Sequence, residues 1–175
     1  MTMFKPFALF FLILCTFLVV TQSRTIQPND ANLIQQTCKN TPNYALCIQY
    51  LNSDPKAPSA DIRGLSLIMV NVIKTKATAT LNKIRQLLKT SPPSQKGALT
   101  SCESKYNTII VADVAEATEA LQKGNPKFAE DGASDADVEQ EACEGGFSGN
   151  SPLTADNNVM HNVATIARAI IRNLL

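Results

Sequence analysis

Between Leu65 and Leu88 apolar side chains return every three or four residues: Leu65, Ile68, Met69, Val72, Ile73, Ala77, Leu81, Ile84, Leu87 and Leu88, with Thr80 in the same stripe. That is the repeat of one helix face, sustained far beyond the length of a strand. A stripe this broad must be covered by other helices. Pro58-Ser59-Ala60-Asp61 marks its start and Ser91-Pro92-Pro93 its end. A second helix carries Leu99, Cys102, Tyr106, Ile109, Ile110, Asp113, Ala117 and Leu121 on mostly one face. A third, acidic stretch runs from Glu130 to Glu144 and breaks at Gly145-Gly146. The last helix is capped near Ser151-Pro152 and sets Val159, Val163, Ile166, Ile170 and Leu174 in a narrow arc, with Arg168 and Arg172 opposite. Strand signals are poor throughout. The pattern predicts an all-α fold, an up-down-up-down four-helix bundle over 58–175, with short links that suit antiparallel neighbours.

Two shorter helices precede it. Asn29-Asp30 can cap one that runs through Cys38, and Pro42 opens another that runs towards Asp54-Pro55, giving an αα-hairpin over 24–57. Upstream, Lys5 leads an almost wholly apolar run from Phe7 to Val20, and Thr21-Gln22-Ser23 offers small residues at the cleavage positions. Residues 1–23 are expected to be a secretory signal peptide removed before Arg24, with no second apolar run to anchor the product in a membrane. About 150 residues remain, enough for one domain with a real core.

Removing Lys5 from the 16 basic residues makes them equal in number to the 15 acidic ones. A near-neutral product argues against nucleic acid and against a basic membrane-surface role. The charges are nonetheless segregated. Lys74, Lys76, Lys83, Arg85, Lys89 and Lys96 make the first long hairpin basic, while no basic residue stands between Lys127 and Arg168. Solvated surface and helix-helix complementarity account for most of that split.

Cys15 leaves with the leader, and Cys38, Cys47, Cys102 and Cys143 remain. Four cysteines in a secreted chain allow three disulfide pairings. The cheapest joins Cys38 to Cys47 across the turn-rich Lys39-Asn40-Thr41-Pro42-Asn43, which pins the hairpin and leaves Cys102 with Cys143. On a loop-entropy view such bridges contribute roughly 3 and roughly 4 kcal/mol. Zinc is a poor alternative, because there is no C-x-x-C spacing and the single histidine lies elsewhere. No Asn-x-Ser/Thr acceptor for N-glycosylation occurs.

Between the second and third long helices lies Gly124-Asn125-Pro126-Lys127-Phe128-Ala129-Glu130-Asp131. Gly124 suits a helix C-cap, and Pro126 fixes its own φ while biasing Asn125 out of helical geometry. Lys127 and Phe128 are expected on a stiff, protruding corner, a cation beside an aromatic ring with nothing nearby to bury either.

Catalysis finds little support. His161 falls nearly opposite Val163 and Ile170 and should face solvent. The cysteines are committed to disulfides, which removes a thiol nucleophile. Asp113, among apolar positions, suits a structural hydrogen bond to a neighbouring helix better than acid-base work. The carboxylates of the acidic run lack apolar shielding and should titrate near their reference values. No phosphate cradle, nucleophile elbow or metal-ligand helix motif is present, and no cofactor or metal is expected.

These residues resemble a family. Cysteines spaced C-x8-C in an N-terminal hairpin, then Leu99-x-x-Cys102-x-x-x-Tyr106 and a distant Cys143, are similar to the plant invertase and pectin methylesterase inhibitors. So are Thr37-Cys38-Lys39-Asn40-Thr41-Pro42, Asn52-Ser53-Asp54-Pro55, the run from Ala115 to Leu121, and the run from Arg168 to Leu175. The resemblance covers essentially all of 24–175 as one inhibitor domain, and Pro126-Lys127-Phe128 matches the corner that marks the invertase-inhibiting branch. Asn125 departs from the aspartate that relatives often carry, which removes a local charge but leaves those three residues intact. The resemblance implies a four-helix bundle with an N-terminal hairpin and the pairings Cys38–Cys47 and Cys102–Cys143. It further implies that the partner is a plant acid invertase, a β-fructofuranosidase of vacuole or cell wall. Pro126, Lys127 and Phe128 would enter its sucrose pocket as preorganiser, plug and wall contact.

Inhibition of pectin methylesterase through helix surfaces is the nearest alternative, and a secreted carrier of an apolar ligand is a remote one. A loss of charge from 130–144 in mild acid would also ease repulsion from an acidic target and tighten inhibition.

Overall fold

The structure, a computed structural model, describes residues 28–175. The expected leader over 1–23 and its cleavage point before Arg24 lie outside the described residues. Helices α1 (Pro28–Lys39) and α2 (Tyr44–Asn52) form the hairpin, closed by the Cys38–Cys47 disulfide with its Cα atoms 5.6 Å apart. α1 begins at Pro28, ahead of the Asn29-Asp30 expected to cap it. α2 starts two residues after Pro42, because the Asn43 side chain accepts a hydrogen bond from the Leu46 N–H and so caps the helix. A short 3-10 turn, Ala57–Ser59, leads into the bundle.

α3 (Ile62–Thr90) is capped by Asp61, whose carboxylate accepts from the Gly64 N–H. Leu65, Ile68, Met69, Ile73, Ala77, Leu81 and Ile84 are all buried, while Val72, Leu87 and Leu88 pack at the margin. α4 (Pro93–Thr108) begins with proline in its first turn, where a missing N–H costs nothing. It continues without a break through a π-helical segment, Ile109–Asp113, into α5 (Val114–Lys123). α6 (Pro126–Gly145) and α7 (Thr154–Ile171) complete the bundle, and a 3-10 turn, Arg172–Leu174, ends it. α3 packs on α4 and α7, and α6 packs on α4, α5 and α7. Each long helix thus lies against its sequence neighbours and the ring closes from last to first, as an up-down-up-down bundle requires.

The last helix differs from its expected arc at both ends, since Leu174, partly buried, lies in the 3-10 turn beyond it. Val159 is exposed, and Met160, Val163, Ala164, Ile166, Ala167, Ile170 and Ile171 form the buried face. The helix itself begins at Thr154 rather than at Ser151-Pro152, with Ser151 Oγ accepting from the Leu153 N–H. α6 buries small residues, Ala129, Gly132, Ala133 and Ala136, which let its backbone approach α5 closely. A Cβ on Gly132 would stand 2.6 Å from the Asp113 carbonyl oxygen. The Cys102–Cys143 disulfide ties α4 to α6 at a Cα separation of 4.8 Å. Ion pairs also join helices, Lys83 with Asp156, Arg85 with Glu103 and Lys105 with Glu139, although none of these links the basic residues named in the first hairpin to the acidic run.

Candidate functional site

The break between α5 and α6 is two residues long. Gly124 adopts φ 77° and ψ 29°, a left-handed conformation that glycine takes without a Cβ clash. Its N–H reaches the Leu121 carbonyl at 3.4 Å, and the Asn125 N–H reaches the Ala120 carbonyl at 2.8 Å. That crossed pair is a Schellman ending, which satisfies the last carbonyls of α5. Asn125, at φ −109° and ψ 70°, is held out of helical geometry ahead of Pro126.

Pro126, Lys127 and Phe128 are therefore not the break itself. They are the first turn of α6, with proline where its absent N–H would be unpaired in any case. No side chain caps this turn. A small cleft of about 90 Å³ between Arg63, Leu121, Gly124, Pro126 and Leu174 sets the turn against the start of α3 and the chain end. Phe128 is 57% exposed. It borders a surface groove of about 470 Å³ whose floor includes Ala112, Ala115 and Ala120 of the neighbouring helix, with Glu116, Glu119 and Lys123 also lining it.

Lys127 is not the isolated cation that its sequence neighbourhood suggests. Its Nζ lies 3.0 Å from Glu130 Oε2 and 2.9 Å from Asp131 Oδ1, one helical turn further on. Its side chain is still 64% exposed, and these hydrogen bonds, Asp131 first and Glu130 second, hold its ammonium above the usual lysine range. Helical geometry makes the pairing. Once Pro126 starts the helix, positions three and four beyond Lys127 lie on its own face.

The acidic run is not uniformly unshielded either. Glu130 is only 7% exposed, and the Arg172 Nε hydrogen bond to it at 2.6 Å, followed by that of Lys127, keeps its carboxyl below the ordinary range. Burial pushes the Glu144 carboxyl up, but hydrogen bonds from Thr154, Asn157 and Ser151 outweigh it and leave the group lowered. Both groups hold their charge further into acid than their spacing in sequence suggests.

Asp113 behaves in the opposite way. It closes the π-helical segment, is 6% exposed, and its Oδ2 has no hydrogen-bond partner, so the expected bond to a neighbouring helix is not formed there. Desolvation first, then the charges of Asp135, Glu139 and Glu116, push its carboxyl up to about 6. His161 is exposed as expected, and its Nδ1 lies 2.8 Å from Asp137 Oδ1. Among the described residues no group of three or more metal-ligating side chains converges, and no helix is long and apolar enough to cross a membrane.

This bundle, with two disulfides and an outward Lys-Phe pair, has relatives. The chain matches the plant invertase/pectin methylesterase inhibitor family over residues 32–170. It is 49% identical over 142 residues to cell wall / vacuolar inhibitor of fructosidase 1 of Arabidopsis thaliana, covering 81% of this chain and 69% of that protein. It is 33% identical over 112 residues to pectinesterase inhibitor 2 of the same plant, covering 63% and 62%. The fold resembles the crystal structure of a mutant pectin methylesterase inhibitor from Arabidopsis, with a TM-score of 0.69 and 24% identity over 79% of this chain and 95% of that one. These relatives are named as inhibitors of enzymes, and the chain stands with inhibitors rather than with enzymes. It belongs to the plant invertase/pectin methylesterase inhibitor family.

Proposed function

We propose that this protein inhibits a plant acid invertase by seating the first turn of α6 in the enzyme's sucrose-binding cleft. The observation that carries the reading is the outward Lys127-Phe128 pair on a braced helix start, in a chain 49% identical to a named inhibitor of fructosidase. A retaining glycosidase sets two carboxyl groups about 5–5.5 Å apart. Such a site attracts a compact ammonium, and Lys127 already sits between two carboxylates of its own helix. The uncapped N–H groups and positive dipole end of the α6 N-terminus add to the same attraction.

Phe128 would lie against the apolar wall of the cleft. Pro126, with the Gly124 turn behind it, lowers the entropy lost on docking. Docking exchanges the pairs of Lys127 within α6 for desolvated ones in the target, and the pair with the exposed Asp131 carboxylate is weak enough to give up. The vacuole or the cell wall suits two disulfides and matches the names of the relatives.

A second reading, inhibition of pectin methylesterase through helix surfaces, is favoured by the 33% identical pectinesterase inhibitor. Assaying the purified protein against both enzymes side by side separates them. Inhibition of acid invertase alone is the expected result. Inhibition of pectin methylesterase alone would replace the first reading with the second.

A further inference from the structure

Glu130 serves two cations. Arg172, in the terminal 3-10 turn, donates from Nε to Oε1 at 2.6 Å, while Lys127 takes Oε2 at 3.0 Å. The carboxylate is almost fully buried, yet both cations keep more than half of their side-chain surface in solvent. A buried carboxylate is costly to leave without a counter-charge. Its two partners are unlike. Arg172 pairs with this carboxylate alone among the ion pairs of the described residues, whereas Lys127 is shared with a second carboxylate, Asp131.

We propose that Arg172 is a positioning residue for the inhibitory turn. As the standing counter-ion of Glu130, it makes Lys127 dispensable there and so free to leave for a target. This rests on the reading that Lys127 enters the target's cleft. When Lys127 departs, Asp131 is rehydrated with little penalty, and Glu130 remains compensated by Arg172. Without Arg172, Lys127 is the one cation left on Glu130 among the described residues, and drawing it away strands a desolvated carboxylate.

The test uses Arg172→Gln and Arg172→Lys in the full secreted protein, with Lys127→Ala as a separate control. Free protein is trace-labelled with acetic anhydride, and acetylation of Lys127 is read by mass spectrometry against exposed Lys96. Arg172→Gln is expected to slow Lys127 acetylation about threefold, as a more tightly paired ammonium gives up its proton less readily, and Arg172→Lys to restore it. Inhibition of acid invertase is expected to weaken about tenfold in Arg172→Gln and to stay within about twofold of wild type in Arg172→Lys. Unchanged acetylation in Arg172→Gln would overturn the inference even if inhibition fell, since damage to the chain end alone gives that pattern. Slowed acetylation with wild-type inhibition would overturn it as well. Undiminished inhibition by Lys127→Ala would instead remove the underlying reading, and the docking role of Arg172 with it.

Discussion

Tyr106 donates its hydroxyl to Asn157 Oδ1 at 2.6 Å, joining α4 to α7 inside the core. Asn157 Nδ2 in turn donates to Glu144 Oε2 at 2.5 Å, so α6 shares the same node. Burial, as the largest cause, holds the Tyr106 hydroxyl well above its ordinary range, so it remains a donor at any working pH. Tyr106→Phe keeps the ring but strands Asn157 Oδ1, which should cost about 1–3 kcal/mol. At about 2–4 °C per kcal/mol for a chain of this size, calorimetry should show the melting midpoint several degrees lower. An unchanged midpoint would mean that the node contributes nothing.

Two glycines should respond with opposite signs. Gly132→Ala drives a methyl group into the Asp113 carbonyl and against Ala117. The backbone has to shift, at roughly 1–3 kcal/mol, more than the helix propensity gained. Gly97→Ala on the exposed side of α4 meets nothing within 4 Å and should stabilise by roughly 0.5–1 kcal/mol. Urea unfolding of both variants checks the pair; stabilisation by Gly132→Ala would contradict the close α5–α6 approach.

Asp113 should make the protein more stable in mild acid than at neutrality. Its carboxyl titrates near 6 in the fold and near the ordinary aspartate value when unfolded, so folding takes up a proton between them. The contribution of Asp113 is whole below the ordinary aspartate value and is lost as pH rises from there through about 6, by roughly 3 kcal/mol for a two-unit displacement. Glu130 and Glu144 are held low, so their contribution is present at neutrality and is lost only below the ordinary glutamate range, under most of the fall that Asp113 causes. Asp113→Asn should flatten the fall. Urea unfolding at pH 4.5 and 7 measures it, and an equal slope in wild type and variant would rule Asp113 out.

The four long helices were legible because their apolar stripes are long and their ends carry prolines and glycines. The π-helical segment at Ile109–Asp113 was not, since one extra residue in a turn barely disturbs a periodic stripe. α6 was harder still. Its buried face is alanine and glycine, a weak hydrophobic signal, so the stretch reads as merely acidic. The partner of buried Glu130 is Arg172, 42 residues later, and no local pattern reveals the pair. The Lys127 pairing was within reach: Pro126 at a first helical position already puts Glu130 and Asp131 on the lysine's own face.

The most direct measurement is the inhibition constant against purified acid invertase for wild type, Lys127→Ala and Lys127→Arg. Loss of the ammonium should weaken inhibition on the order of a hundredfold, as expected when one partner of a desolvated charge pair is removed. Arginine should recover little of it, because a broad planar fork replaces a compact charge. Inhibition undiminished in both variants would contradict the account.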